Sequence, residues 1–362
     1  MARPPARGRR RTGVEHSRAR ARFRRLTHLM SPLPNKRLLG LTACALLLAG
    51  AARAQTEIRI GLIGLDTSHV PAFTGMLNDP SNKKHLPGAR VVVAFPGGSP
   101  DVESSWSRVK GYTEEIKTKY GVRIVDSVAE VVANCDAIMI ESVDGRAHLP
   151  FAREVFGQGK PVFIDKPLGG NLREVLAIAA LAEKTNTPLF SSSSLRYGPG
   201  LQELKSADLG RRLGAISYGP CALEPHHTDL YWYGVHATEA LYTIMGPGCE
   251  KVSRVTTPDT DVVTGVWSDG RTGVVYGVRN SKAAYRVTAF GTTAVRDGKE
   301  GYDYAYLMKE ILTFFQTGKS PVPLAETVEL MAFMEAADES KRAGGAPASL
   351  HDVIAKNSPG QR

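Results

Sequence analysis

Residues 58–69 read IRIGLIGLDTSH, a short β-branched run that ends in a glycine turn and leads into a helical pattern. Apolar residues on both faces of such a run are typical of a strand inside a parallel sheet. Helical patterns separate it from further runs of this kind, which lie at 89–95, 122–125, 136–142, 161–165 and 187–192. This alternation predicts a Rossmann-like, doubly wound parallel sheet over residues 55–194, with its ligand site outside the carboxyl ends of the strands.

After residue 195 the pattern changes. Strand-like runs follow one another without intervening helices, at 251–256, 261–268, 272–279 and 284–291. Consecutive strands without crossover helices indicate a second domain of α+β type, residues 195–350, with a mostly antiparallel open sheet. Residues 351–362 are expected to form a tail.

The first 54 residues are typical of an export leader. From Met30, a short basic stretch precedes an apolar run, which is followed by an Ala-Arg-Ala cleavage site that ends at Ala54. That run is too short to span a bilayer, so we expect no membrane span and a Sec-type signal peptide cleaved after Ala54. The protein is therefore expected to be periplasmic or secreted. Arg24-Arg25 and Cys44 keep a twin-arginine signal and a lipoprotein as less favoured alternatives.

The net charge of +10 belongs to the leader. Thirteen of the 46 basic side chains lie in the first 54 residues with one acid, which leaves 33 basic and 35 acidic groups in the other 308. A nearly neutral body lacks the cations that bind phosphate backbones, so nucleic acid is excluded as a partner. Cys135, Cys221 and Cys249 have no C-x-x-C spacing, which argues against a zinc-cysteine site and leaves one disulfide possible.

The glycine turn departs from the dinucleotide pattern G-x-G-x-x-G. Gly64 takes the first place, Asp66 the second and His69 the third. The second glycine normally lets the backbone approach a pyrophosphate, and a carboxylate there adds bulk and negative charge. The turn is therefore either a modified nucleotide cradle or a simple helix start that Asp66 caps. Strand 89–95 is followed by Pro96 and not by an acid that would bind a ribose.

Lys166 lies at the end of the fifth strand in Asp165-Lys166-Pro167, where it would point into the ligand crevice. With the glycine turn and residues 141–148, this motif resembles the Gfo/Idh/MocA family of glucose-fructose oxidoreductases and inositol dehydrogenases, over nearly all of residues 57–350. The resemblance implies an oxidoreductase that acts on a sugar or polyol with NAD or NADP, here an exported member with a degenerate dinucleotide fingerprint. It implies these cofactor-binding residues: Gly64, Asp66, Thr67, Ser68, His69, Pro96, Glu141, His148, Asp165 and Lys166.

Gly234-Val235-His236 resembles the family's helix with the catalytic histidine. Oxidation of an alcohol needs a base that titrates near neutrality, so His236 is the predicted base and Lys166 stabilises the alkoxide. Many members have an Asp four residues before that histidine, where Trp232 stands here, and Asp229 is the candidate to compensate. The predicted substrate-binding residues are Arg196, Tyr197, His227, Asp229, Tyr231 and Tyr233.

Several alternatives remain open. The aromatic residues can instead belong to the core, and Arg196 can form a structural salt bridge. A divalent metal can bind to an oxygen-nitrogen shell in a non-redox lyase, hydrolase or isomerase that acts on carbohydrate. The residues of that shell would be His226, His227, Asp229, His236 and Glu239. A third hypothesis is an inactive sugar-binding accessory protein. The open sheet of the second domain predicts a homo-oligomer, a dimer or tetramer.

Overall fold

Six parallel strands form the first sheet of the computed structural model, which describes residues 57–299 and 301–358. They are β1 (Ile58–Ile63), β2 (Ala89–Phe95), β3 (Arg123–Ile124), β4 (Ala137–Ile140), β5 (Val162–Ile164) and β6 (Leu189–Phe190). Their order is β3-β2-β1-β4-β5-β6, which is the doubly wound order of dinucleotide-binding folds. The predicted Rossmann-like sheet is therefore confirmed.

Helices cover both faces of this sheet because its strands are apolar on both faces. In β4, Ile138 and Ile140 pack into one hydrophobic cluster, and Ala137 and Met139 pack into another on the opposite face. The crossover helices are α1 (His69–Asn78), α2 (Glu103–Tyr120), α3 (Val128–Ala133), α4 (His148–Val155) and α5 (Leu172–Thr185). All the βα turns therefore open at the carboxyl edge of the sheet.

Seven strands form the second sheet, and the prediction of a mostly antiparallel sheet is confirmed. They are β7 (Arg212–Pro220), β8 (Cys249–Thr256), β9 (Thr260–Trp267), β10 (Thr272–Val278), β11 (Arg286–Gly291), β12 (Val295–Asp297) and β13 (Ala348–Ser349). Their order is β12-β11-β7-β10-β9-β8-β13, and only β7 and β10 pair in parallel.

One face of the second sheet is covered and the other is open. The remaining helices are α6 (Pro199–Ser206), α7 (Asp229–Trp232), α8 (Gly234–Met245), α9 (Tyr304–Thr317), α10 (Leu324–Arg342) and α11 (Leu350–Asn357). Helices α8 and α10 pack against the sheet, where Trp267 and Phe333 lie in the core. The opposite face exposes apolar side chains, among them Tyr218, Val266 and Tyr276.

Two segments differ from the predicted domain limits. Helix α9 lies in sequence between β12 and β13 of the second sheet, yet Leu307 and Ile311 pack with Phe73 in the core of the first sheet. The predicted tail from residue 351 is wrong as far as residue 357, because α11 forms there and buries Leu350 and Val353. A helix with an apolar face packs wherever a complementary face is available, and sequence order does not determine which domain supplies it.

The predicted leader, residues 1–54, lies outside the described residues. Within residues 57–299 and 301–358, no helix is both long and apolar enough to cross a membrane. Cys135, Cys221 and Cys249 are buried, and each is a free thiol, so the disulfide that the sequence left open does not form among them.

Candidate active site

A polar crevice lies at the carboxyl edge of the first sheet, where the second domain faces it. The crevice encloses about 320 Å³ and receives both residues predicted to be catalytic, Lys166 and His236. Its other lining side chains are Thr67, Ser68, His69, Ser104, Arg108, Val143, Ser194, Leu195, Glu224, Trp232, Tyr233, Tyr285, Tyr302 and Tyr304. The first sheet therefore supplies cationic and imidazole groups, and the second domain supplies most of the aromatic rings.

Lys166 enters the crevice from the end of β5. Its side chain is largely buried, and Nζ lies 3.9 Å from Oδ2 of Asp165. An ammonium beside a carboxylate has further N–H groups available. Lys166 can therefore donate a hydrogen bond to a substrate oxygen in the crevice.

His236 faces Lys166 from α8. Its Nδ1 lies 2.8 Å from Oγ of Ser193, which therefore holds the ring in place of the expected carboxylate. Burial, and then the charge of Lys166, hold the pKa of His236 well below its ordinary value. The ring is therefore neutral at physiological pH and can accept a proton.

His69 is a second imidazole in the same crevice. Its Nδ1 lies 2.8 Å from Oδ2 of Asp165. The ring stacks on Phe73 with centroids 4.9 Å apart and meets the edge of Tyr304 at 4.7 Å. Since Nδ1 faces Asp165, Nε2 is the nitrogen left for the crevice. A carboxylate that orients an imidazole in this way is a recurrent arrangement for proton transfer.

Two buried carboxyl groups beneath these residues differ in charge. Burial would raise the pKa of Asp165, but His69 and Lys166 outweigh it and hold that pKa far below the usual range. Burial and then the charge of Asp165 raise the pKa of Glu141 well above its ordinary value. Neither oxygen of the Glu141 carboxyl group has a hydrogen-bond partner among the described residues. Asp165 is therefore ionised, and Glu141 keeps its proton.

His69, Glu141 and Asp165 are also residue types that bind metals. Their ligand atoms lie within 4.8 Å of one another. Lys166 lies beside the same carboxylate, with Nζ 3.9 Å from Oδ2 of Asp165. A cation at this cluster would have to share Asp165 with the Lys166 ammonium.

The metal shell predicted from the second domain does not converge. His226 lies against Glu224, and Glu239 binds Ser192 and Arg196. Asp229 pairs with Arg254 and Lys341 and so does not compensate for the missing carboxylate beside His236. The backbone N–H of Gly145 donates a hydrogen bond to Nε2 of His227 at 3.3 Å. That metal hypothesis is wrong because each side chain already has a different partner.

Other predicted substrate residues lie outside the crevice. Arg196 is buried between Glu239 and Glu326, which confirms the alternative of a structural salt bridge. The Tyr231 ring is fully buried, and its hydroxyl donates to the carbonyl of Met331 at 2.9 Å. Tyr197 packs against Phe190. Of the predicted substrate residues, only Tyr233 lines the crevice itself.

Only some of the predicted cofactor-binding residues line the crevice. Thr67, Ser68, His69 and Lys166 line the crevice. The carbonyl of Pro96 accepts the N–H of Leu65 at 2.7 Å and joins β2 to the glycine turn. The two ring nitrogens of His148 lie 2.9 Å from the carbonyl oxygens of Ser142 and Pro167, so this histidine joins the turns after β4 and β5.

Gly64 and Asp66 explain the shape of the first turn. Gly64 has φ +84°, and a Cβ there would lie 2.2 Å from Oγ of Ser142, so only glycine fits. Asp66 does not cap α1. Its carboxylate accepts the N–H of Val143 at 2.9 Å and the hydroxyl of Ser105 at 2.6 Å, and it is fully buried.

Some site residues carry no sequence signal. Tyr285 precedes β11, Tyr302 follows β12 and Tyr304 begins α9, and all three lie far from any recognised motif. Ser193 lies in a run of four serines, and nothing in that run distinguishes the one that contacts His236. The pairing of His69 with Asp165 has a partial signal, because both residues follow strands of one parallel sheet.

The fold and this crevice define a Rossmann-type protein with an open-sheet second domain. Residues 58–192 match the family model GFO_IDH_MocA, described as an oxidoreductase family with an NAD-binding Rossmann fold. The first domain of this chain is therefore similar to the Gfo/Idh/MocA oxidoreductase family. The resemblance seen in the sequence is thereby confirmed.

Sequence relatives match the first domain. A myo-inositol dehydrogenase of Streptomyces leeuwenhoekii is 30% identical over 94 residues, 26% of this chain and 29% of that protein. The Salmonella typhimurium protein YceM, whose name describes an oxidoreductase, is 29% identical over 128 residues, 35% of this chain and 39% of that protein. The matched segments therefore span well under half of these relatives.

Solved structures match both domains. The myo-inositol 2-dehydrogenase of Lactobacillus plantarum has a TM-score of 0.68 at 17% identity, over 81% of this chain and 99% of that one. The myo-inositol dehydrogenase of Lactobacillus casei, solved with NAD(H) and myo-inositol, has a TM-score of 0.65 at 14% identity, over 81% and 96%. At these identities the likeness establishes the fold.

The residues of this crevice differ from those that a dinucleotide needs. Asp66, a buried carboxylate, stands in place of the glycine that would admit the pyrophosphate, and His69, with Nδ1 2.8 Å from Asp165, stands in place of the third glycine. Pro96 follows β2 directly, and the first acid after it, Asp101, pairs with Arg146. The residues present do not fit a dinucleotide.

Proposed function

We propose that this chain acts on a carbonyl-bearing sugar or polyol derivative by moving protons within the crevice. The observation that carries the proposal is that two imidazoles, His69 and His236, face one cavity with the Lys166 ammonium. Two proton-transfer groups and one fixed positive charge suit abstraction of a proton next to a carbonyl. The reaction class is isomerisation or epimerisation.

Aromatic rings support a sugar-like substrate. Tyr233, Tyr285, Tyr302 and Tyr304 line the crevice together with Lys166 and His69. Tyrosine presents an apolar face that can pack on sugar C–H groups and a hydroxyl that can bond to sugar oxygens. About 320 Å³ is room for one small ligand.

The residues divide the chemistry as follows. Lys166 donates a hydrogen bond to the substrate carbonyl oxygen. Neutral His236, with Nδ1 directed to Ser193, accepts the proton from the neighbouring carbon at Nε2. The C–H electron pair forms a carbon–carbon double bond, and the π pair of the carbonyl group moves to its oxygen. Lys166 stabilises the resulting enolate. The pair His69–Asp165 then returns a proton to the substrate. In epimerisation the proton goes to the same carbon. In isomerisation it goes to the carbonyl carbon, after the hydroxyl proton has moved.

Oxidation of a sugar or polyol hydroxyl is the second candidate. It is favoured by the match of residues 58–192 to an oxidoreductase family model, and it would use the same Lys166 and His236. A hydride acceptor, NAD or NADP, is then required, and this cofactor stays a prediction from the sequence.

Deuterium incorporation distinguishes the two reactions. The purified chain is incubated in D2O with glucose, galactose, glucuronate and 2-keto-myo-inositol, without and with NAD⁺ or NADP⁺, and followed by NMR. We expect exchange of the hydrogen next to the carbonyl without nucleotide, abolished by His236→Ala and by His69→Ala. A control variant, Glu114→Ala on the exposed face of α2, keeps full activity. Turnover that requires nucleotide would establish the oxidation and refute the isomerase proposal.

We also propose that the chain is exported. The support is the Met30–Ala54 leader pattern and the nearly neutral charge of the remaining sequence. Expression of the complete reading frame followed by cell fractionation and N-terminal sequencing tests this. A mature N-terminus at Gln55 outside the cytoplasm is expected, and retention of residues 30–54 in the cytoplasm would contradict it.

A homo-oligomer built on the second sheet is a further part of the proposal. The open face exposes Tyr218, Val255, Val266 and Tyr276, at 37%, 65%, 41% and 40%. A contiguous apolar sheet face of this kind is commonly covered by a second copy. Light scattering after size exclusion should give a dimer or tetramer, and Tyr276→Lys should dissociate it. A wild-type monomer would refute this part.

A further inference from the structure

Side chains of the first domain join the turns after β1, β2 and β4. The Asp66 carboxylate, from the β1 turn, binds the Val143 N–H of the β4 turn and the Ser105 hydroxyl at the start of α2. The same Ser105 oxygen accepts the N–H of Ser99, in the β2 turn, at 2.8 Å. The three turns are therefore linked through one buried carboxylate.

A second set of contacts closes the same region further out. The Ser99 hydroxyl donates to Oδ2 of Asp144 at 2.7 Å. The guanidinium of Arg146 donates to both Asp144 and Asp101, at distances of 2.7–3.0 Å. The β2 turn and the β4 turn are thus joined directly by side-chain hydrogen bonds.

Apolar contacts complete the closure. Val102 of the β2 turn, Val143 of the β4 turn and Trp232 of α7 form one small buried cluster. The His227 ring lies tilted against Trp232 with ring centroids 5.3 Å apart and accepts the N–H of Gly145. The second domain therefore contacts the β2 and β4 turns directly.

This closure lies where the fold would place half of a dinucleotide. In a sheet of this strand order the pyrophosphate lies on the first βα turn, and the adenosine ribose lies toward the end of β2. A phosphate brought to Asp66 would meet a buried carboxylate, and an adenosine would need the β2 and β4 turns to separate. Both requirements oppose binding.

We propose that the adenosine half of the ancestral groove is permanently filled by the clasp of Asp66, Ser99, Ser105, Val143 and Asp144, so that the chain binds no dinucleotide. The crevice is then a chamber for one small ligand. The clasp is independent of which sugar the chain converts.

Titration calorimetry of the mature chain, Gln55–Arg362, with NAD⁺, NADH and NADP⁺ tests the proposal. No saturable binding is expected up to about 1 mM ligand. This limit excludes a binding free energy more favourable than about −4 kcal/mol. Mass spectrometry of the denatured protein should detect no released nucleotide. The Lactobacillus casei myo-inositol dehydrogenase, solved with NAD(H), is the positive control. Saturable binding, or nucleotide released in amounts equal to the protein, overturns the proposal.

Hydrogen exchange tests the clasp itself in the unliganded protein. Asp66→Ala removes the acceptor of the Val143 N–H, so exchange at that amide should accelerate by at least about tenfold relative to wild type. Glu114→Ala, on the same helix as Ser105, should leave it unchanged. Asp66→Asn keeps one acceptor oxygen and guards against misfolding of the alanine variant, with an intermediate rate expected. Equal rates in wild type and Asp66→Ala would show that the turns are not held together.

Discussion

The charge of Asp165 underlies the proposed chemistry, and Asp165→Asn tests it with little change in shape. Asp165 is fully buried, with the His69 imidazole at 2.8 Å and the Lys166 ammonium at 3.9 Å. At an effective dielectric constant of about 20, the unit charges of Asp165 and Lys166 at 3.9 Å attract by about 4 kcal/mol. Desolvation offsets much of this attraction, and removal of one partner from a buried pair typically costs about 3–5 kcal/mol.

We therefore expect Asp165→Asn to lower the free energy of unfolding by about 3–5 kcal/mol at neutral pH. The pKa of Asp165 in the folded chain lies below its unfolded value of about 3.9. Its stabilisation is therefore complete above that pH and is lost as the pH falls toward the folded pKa. The two proteins should converge in stability in acid.

Urea denaturation followed by tryptophan fluorescence, at neutral and at acidic pH, measures both effects. Asp126→Asn, at an exposed position of the first domain, is the matched control and should change stability by less than about 0.5 kcal/mol. A loss below about 1 kcal/mol for Asp165→Asn, or the same loss at every pH, would refute the assigned charges.

Three further predictions concern the same crevice. Glu141→Gln should raise the free energy of unfolding at neutral pH by at least about 1 kcal/mol. The pKa of Glu141 is raised in the folded chain, so its contribution to stability falls as the pH rises above the pKa of glutamate in the unfolded chain. Equal denaturation midpoints for the variant and the wild type would contradict this. Ser193→Ala should lower kcat about tenfold with KM nearly unchanged, less than the roughly 10²–10⁴ expected for loss of His236 itself; an effect confined to KM would assign Ser193 to substrate binding. Chelation with EDTA should leave turnover intact, since Lys166 and His69 adjoin Asp165; loss of turnover that zinc or manganese restores would establish a metal enzyme.

The sequence predicted the elements of the fold because their signals are local. Strands such as IRIGLI are apolar on both faces, and the helices between them have recognisable periodicity. Lys166 was equally predictable, since the end of a parallel strand opens at the ligand edge of the sheet. Helix α9 and the end of the chain were less predictable, because their partners come from distant segments.

The substrate side of the site could not be assigned in the same way. Arg196, Asp229 and Tyr231 have residue types that suit sugar binding, yet they serve a buried salt bridge, a surface ion pair and the core. Tyr285 and Tyr304 line the crevice although no motif marks them. Side-chain partners depend on which segments meet in space, and spacing along the chain does not encode those meetings.

By itself, the sequence determined the doubly wound sheet, the position of Lys166 and the departure from the glycine fingerprint at Asp66 and His69. Only the tertiary structure decided what those two departures do. Asp66 turns away from α1 and links three loops, and His69 reaches Asp165 across the top of the sheet. A glycine pattern indicates whether a backbone can approach a ligand. A side chain that replaces glycine has a role that depends on its neighbours, and the fold decides which neighbours lie within hydrogen-bond distance.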